Sequence, residues 1–380
     1  MLPPITTEPH WVAAPASLQK MIEAISASPL LAIDTESNSL FAYRERVCLI
    51  QISTPETDYL IDPLQMDDLS SLAPIFANPA QLKIFHAAEY DIICLKRDYR
   101  FVFNNIFDTM IAARILAEPR VGLGSLLETY FGVDLEKKYQ RANWGKRPLS
   151  GEMLDYARMD THYLFALKTV LEEKLITQDL WNLAQEDFAL VTAVEQPLSD
   201  PNGASCWKVV GNNHLSDQES AILQALCNYR DQQAQKMNVP HFKVFSNQLL
   251  VELSRSAPHS PEELALVPGV NQKLVLHHGN ALLNAIKTGE KAKPLSRPAR
   301  KKPSAATVER FKTLHEWRKT LAQHSKIESD IVLPREVLER IACLNPGNLS
   351  ELQAIMSAVP WRFQRYGEEI LQQLKTIEEK

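Results

Sequence analysis

The sequence predicts a mixed α/β domain followed by two small all-α domains. Three observations carry this. The first half strings together three strand-like segments and then alternates strand with helix. A polar stretch near residue 200, rich in proline and glycine, interrupts the pattern. Beyond it the chain repeats itself at a fixed offset. The expected domains are residues 1–200, 210–290 and 305–380, with a linker at 291–304. A chain of 380 residues accommodates such a division.

The strands are read from short apolar runs. Leu30–Thr35 ends in acids, Arg46–Ser53 is β-branched and partly alternating, and Tyr59–Ile61 follows a turn at Thr54–Asp58. Leu82–His86 is a fourth. Helical periodicity fills Asp67–Phe76, Glu89–Asp98, Thr109–Leu116 and Leu123–Tyr130. Ser150–Leu175 reads as one long helix with Ser150 as N-cap. Gln196–Ser205 is the first linker. In the second half, CNYRDQQAQ at Cys227–Gln235 lines up with HEWRKTLAQ at His315–Gln323. Val244, Leu250, Leu264 and Gly279 match Val332, Leu338, Leu352 and Gly367. Each unit is an amphipathic helical segment long enough for a small domain. Residues 291–304 hold six Lys/Arg, three prolines and no acid, which predicts a solvated, extended basic linker.

Composition narrows the class. An apolar fraction of 45% suits a globular protein. No run of about 18 apolar residues suggests a membrane span. The N-terminus lacks a signal-peptide pattern, which makes the cytoplasm the expected compartment. The five cysteines are scattered and odd in number, and predict reduced thiols. The net charge of −5 is uneven: residues 1–205 carry 17 Lys+Arg against 28 Asp+Glu, and residues 206–380 carry 24 against 18. An acidic half that needs cations, joined to a basic half that can hold polyanions, suits a nucleic-acid enzyme, although solubility alone also varies charge between domains.

Acids in three segments carry the chemistry. Asp34 and Glu36, two apart at a strand end, share a face, and two buried carboxylates side by side repel unless a cation lies between them. Asp91 falls in the first turn of the helix after Leu82–His86, where the helix dipole also stabilises it. Tyr156 and Asp160 are i and i+4 on one helix. Oxygen-only ligands select Mg²⁺ or Mn²⁺. Two such ions could clamp the attacking and leaving oxygens of a phosphodiester, with the Tyr156 hydroxyl orienting the water. Asp108 reads mainly as the N-cap of the helix starting at Thr109.

These segments resemble the exonuclease motifs of the DEDD superfamily. Tyr156 four residues before Asp160 resembles its tyrosine subclass; the histidine subclass would have histidine at 155, where this chain has Asp155. The order IDTE, FHAAEYD, FDT, KKYQRANWGKRPL and YARMD resembles the ribonuclease D family and the related catalytic subunit of the nuclear exosome. The repeat resembles the HRDC module shared by RecQ helicases and ribonuclease D. The resemblance spans the chain from about residue 10 onward. It implies a ribonuclease H-like exonuclease fold before the two helical modules. It implies Asp34, Glu36, Asp91 and Asp160 as ligands of two divalent metal ions, and Tyr156 as the water-orienting residue. The implied activity is 3′-to-5′ trimming of RNA, notably tRNA precursors, releasing nucleoside 5′-monophosphates. A DNA exonuclease or a catalytically inert RNA-binding module are the alternatives. No P-loop is present, so ATP is not expected.

Substrate contacts are expected from Leu135–Leu149, where basic residues alternate with aromatics. Lys138 and Trp144 are the first choices, with Arg147 beside them; the alternative is that Trp144 packs against its own domain and the cations are solvated. His86, at a strand end facing the proposed site, is either a nucleotide contact or an internally satisfied histidine. Tyr229 and Trp317, at matching repeat positions, read as core.

Overall fold

The computed structural model describes residues 8–195, 206–211, 213–297 and 302–378. The first linker expected, Gln196–Ser205, lies outside them. Six strands form one sheet: β1 (His10–Val12), β2 (Leu30–Ser37), β3 (Val47–Ser53), β4 (Asp58–Ile61), β5 (Leu82–Phe85) and β6 (Ile106–Asp108). Their order is β1-β4-β3-β2-β5-β6. β3 and β4 are antiparallel, whereas β2 and β5 run parallel with Ala32 opposite Ile84. β6 continues the parallel half, with Phe85 opposite Asp108. All seven residues of β3 are buried, as a strand covered on both faces requires. The mixed sheet matches the expected fold class.

Eight helices surround the sheet: α1 (Pro15–Ser26), α2 (Ala73–Ala77), α3 (Ala88–Tyr99), α4 (Thr109–Ile115), α5 (Leu123–Phe131), α6 (Gly151–His162), α7 (Leu164–Thr177) and α8 (Trp181–Thr192). Two expectations change. The Asp67–Phe76 helix shrinks to a 3-10 turn and the short α2. The long Ser150–Leu175 helix is two helices meeting at Tyr163, which is the C-cap of α6 and the N-cap position of α7. Ser150 does cap α6, accepting from the Met153 amide.

Two helical modules follow. The first holds α9 (Trp207–Val210), α10 (Asp217–Met237), α11 (His241–Val244), α12 (Asn247–Ser256), α13 (Pro261–Ala265) and α14 (Gln272–Lys291). The second holds α15 (Ala305–Ser325), α16 (Ser329–Val332), α17 (Arg335–Leu344), α18 (Leu349–Ile355) and α19 (Pro360–Glu378). Each has its own apolar core, against which Tyr229 and Trp317 pack. Contrary to expectation, Cys206 and Cys227 form a disulfide, because the segment ahead of α9 packs its thiol into the same core as α10. The basic stretch is not wholly extended: Lys291 ends α14, and Leu295 and Ser296 hydrogen-bond to Asp217. Its residues 298–301 lie outside the described set. No helix among the described residues is long and apolar enough to cross a membrane.

The chain forms two compact units that do not follow its linear order. One gathers residues 1–36, 47–196 and 302–380, so the sheet domain and the second module belong together. The other joins residues 37–46 to 197–301. In the first unit, Arg362 of α19 is fully buried against α8. It donates to Glu186 at 2.5 Å and Asp187 at 3.0 Å, and to the Ile331 carbonyl at 2.8 Å. The Trp361 amide adds a bond to Glu186 at 2.7 Å. In the second unit, the Tyr43 hydroxyl donates to Asp231 at 2.8 Å, His241 meets the same carboxylate at 2.7 Å, and Lys243 lies 4.2 Å above the Phe41 ring.

Candidate active site

Sheet register and two helix ends bring the acids together. β2 runs through the middle of the sheet and carries Asp34 and Glu36 toward its C-terminal end. α3 follows β5 directly, and places Asp91 in its first turn. α6 packs on β3 and β4 and carries Tyr156 and Asp160. Carboxylate oxygens of Asp34, Glu36 and Asp160 all lie within 4.8 Å of one another. Asp91 is outside that triplet. It is 5% exposed and accepts from the Thr35 hydroxyl at 2.5 Å.

The electrostatics make the cluster unstable on its own. Burial pushes Asp34 up to about 7. Burial, then Asp34, Asp160 and Asp91, push Glu36 up to about 10. Asp91 and Asp160 are raised well above the usual carboxylate range by burial, with Asp34 as the largest charge acting on each. Among the described residues no lysine or arginine pairs with any of the four. An all-oxygen donor set of mutually repelling carboxylates, Asp91 buried and the others half-buried, fits a hard divalent cation, whose charge would reverse each of these shifts. Asp34 is the acid whose charge the other three all feel.

Tyr156 is half-buried beside this cluster. Burial, then Asp160, Glu36 and Asp34, raise its phenol above its ordinary value, so it stays a neutral O–H at physiological pH. A cavity of about 690 Å³ opens against it, lined among others by Lys138, Tyr139, Glu152, Asp160 and Tyr163.

Supporting residues hold the acids in place. Asp108 is 1% exposed, and its carboxylate accepts from four amides: Ala87 and Ala88 at the start of α3, and Met110 and Ile111 at the start of α4. It is a double cap and not a ligand. Gln51 of β3, fully buried, donates to Asp34 at 3.3 Å. Sequence reasoning missed Gln51 and Thr35; the signal for Gln51 was a lone amide inside VCLIQIS, an otherwise apolar run.

Comparison with known proteins identifies the domains. A family model described as 3′-5′ exonuclease matches residues 9–176, and the HRDC domain matches residues 219–286 and 308–374. Residues 9–176 are thus a 3′-5′ exonuclease domain, followed by two HRDC domains. It is 28% identical over 295 residues to ribonuclease D of Desulfotalea psychrophila, covering 77% of this chain and 79% of that one. It is 32% identical over 371 residues to the exosome complex exonuclease RRP6 of Saccharomyces cerevisiae, covering 91% of this chain and 48% of the relative. The crystal structure of Escherichia coli RNase D shares the fold, with a TM-score of 0.71, 24% identity and coverage of 97% of this chain and 99% of that one. The chain spans less than half the length of the exosome-subunit relatives it matches.

Within this exonuclease domain the expected substrate residues separate. Trp144 is 1% exposed and has no open face for a base, so the stacking expected of it does not fit. Arg147 is committed internally: it donates to Asp62 through two nitrogens and to the carbonyls of Trp144, Lys146 and Cys48. Its guanidinium therefore locks the loop and is not open to a phosphate. Lys138 is exposed, bonded to Glu152 at 2.7 Å, and lines the cavity. His86 Nδ1 lies 2.9 Å from the Thr109 hydroxyl, whose one proton goes to the Phe85 carbonyl at 3.0 Å. The imidazole must then donate through Nδ1. Burial lowers its pKa to about 4, so the ring is neutral and Nε2 is an acceptor.

Proposed function

We propose that the chain is a 3′-to-5′ exoribonuclease that trims RNA 3′ ends, tRNA precursors among them. It would use two divalent ions, Mg²⁺ or Mn²⁺, and release nucleoside 5′-monophosphates. One observation carries the reading: Asp34, Glu36 and Asp160, half-buried and within 4.8 Å of one another, with the buried Asp91 feeling the charge of Asp34, stand beside a tyrosine whose hydroxyl has no protein partner among the described residues. Asp34, Glu36, Asp91 and Asp160 would hold the ions. Bound there, the ions supply charge neutralisation at the scissile phosphate and acidify the attacking water. Tyr156, kept protonated, holds that water by hydrogen bonding and does not remove its proton.

The same acids serve RNA or DNA. His86 Nε2, an acceptor, favours a hydroxyl donor over a phosphate oxygen, which cannot donate. A ribose 2′-hydroxyl is such a donor and is absent from DNA. Lys138 would exchange Glu152 for a phosphate of the incoming strand. In this reading residues 1–200 are catalytic, and 210–290 and 305–380 are HRDC modules.

The experiment is digestion of matched 3′-hydroxyl RNA and DNA oligonucleotides, and of 3′-extended tRNA, with and without each metal, followed by product mass. Stepwise release of nucleoside 5′-monophosphates from RNA, abolished by EDTA and by Asp34→Asn, is the expected result. Preference for DNA would replace the substrate assignment. Absence of metal-dependent cleavage of either polymer would overturn the enzyme assignment.

A further inference from the structure

The segment expected to grip substrate is built as a buttress behind the tyrosine. Trp144 is the largest fully buried side chain among the described residues. Its ring centroid is 6.1 Å from that of Tyr156, inclined at 33°. The Tyr139 ring meets Tyr156 edge-on at 5.9 Å. Cys48, Leu49, Leu60 and Ala157 close this into a small core of its own, separate from the main core of the sheet.

Two polar anchors fix the buttress. Arg147 binds Asp62 and also donates to the Trp144 carbonyl at 2.7 Å, so the tryptophan backbone is tied to the loop that follows β4. Tyr139 donates to Glu152, which sits one helical turn before Tyr156 on α6. The phenol ring is thus bounded by two aromatics, each held independently of it.

We propose that Trp144, held by Arg147, is a positioning residue that fixes the ring of Tyr156 where its hydroxyl meets the attacking water. This rests on the exonuclease reading. A tyrosine hydroxyl lies at the end of a long lever, and a small swing of the ring displaces it widely. A misplacement of about 1 Å costs on the order of 10²-fold in rate. An aromatic wall prevents that swing without touching substrate.

The test is a double-mutant cycle on the full chain. Trp144→Ala and Trp144→Phe are each made in the wild type and in Tyr156→Phe, and single-turnover cleavage of a 3′-hydroxyl single-stranded RNA is followed with Mg²⁺. Trp144→Ala should lower the cleavage rate about 10- to 100-fold with RNA affinity changed less than about twofold. Trp144→Phe, which keeps an aromatic wall, should recover most of the rate, and Trp144→Leu, which fills the small core without that wall, replaces the alanine variant in every arm if that variant fails to fold. In the Tyr156→Phe background either change should cost less than about twofold more, because the lever it steadies is gone. An equal cost in both backgrounds overturns the proposal, as does lost affinity at an unchanged rate. A crystal structure of Trp144→Ala, or of Trp144→Leu in its place, supplies the readout independent of activity: a Tyr156 ring that keeps its place overturns positioning, and a displaced ring supports it. Should wild-type protein cleave neither RNA nor DNA, the exonuclease reading falls, and the ring position alone decides this one.

Discussion

Asp34 sits where its charge acts on Glu36, Asp91 and Asp160 at once, and this gives a signed pH dependence. These carboxylates have folded-state pKa values above their unfolded ones. The folded protein therefore binds more protons than the unfolded one between about 4 and the raised values, and stability falls as pH rises. The window begins at the unfolded values and runs through about 7 for Asp34 to about 10 for Glu36. In EDTA the melting temperature should drop between pH 5 and pH 9, and saturating Mg²⁺ or Mn²⁺ should flatten that slope; an unchanged slope would remove the metal assignment. Tyr156→Phe should lower turnover by about 10²-fold or more while leaving divalent-ion affinity nearly intact, measured by calorimetry. Parallel loss of both would make the residue structural. The four acids could be read from sequence because each stands at the end of a strand or in a helix with an obvious apolar face. Trp144 and Arg147 could not. An aromatic between cations looks the same whether it stacks a base or fills a core, and only depth distinguishes the two.

Helix ends do much of the placing. Asp108 accepts from four amides of two helices, and one of those helices carries Asp91. Asp108→Ala removes two caps and should cost about 2–4 kcal/mol, at roughly 1–2 kcal/mol each. It should also weaken metal binding through Asp91. Asp108→Asn keeps one acceptor oxygen and should lose about half as much; urea titration measures both. Its capping of α4 was legible, since an aspartate before Thr109 is a common N-cap. Its capping of α3 was not, because that bond spans 21 residues. Elements failed for the same reason. β1 and β6 are three residues each, too short for periodicity to register, and are held by pairing to neighbours distant in sequence. The break at Tyr163 carries no proline or glycine to mark it.

The arrangement of the whole chain departs furthest from its linear order. The second module is joined to the sheet domain by Arg362, which is buried with two carboxylates that would otherwise lack a countercharge. Arg362→Ala should destabilise that unit by about 3–5 kcal/mol, because it strands Glu186 in the interior. Adding Glu186→Gln should recover much of the loss, and chemical denaturation of both variants tests it. The repeat was visible in the sequence, but its two copies looked equivalent; only one carries an arginine at this position, where the other has Leu274. The first module belongs to the second unit, together with residues 37–46. Residues 37–46 leave β2 one step after Glu36, lie on α10 and α11 through Phe41 and Tyr43, and return at β3. Anyone expressing residues 1–196 as a stand-alone nuclease therefore cuts this excursion from its bed. The fragment would carry this loop uncovered beside β2, open to trypsin at Arg44 and Arg46, and a nick there would cut the covalent link between β2 and β3.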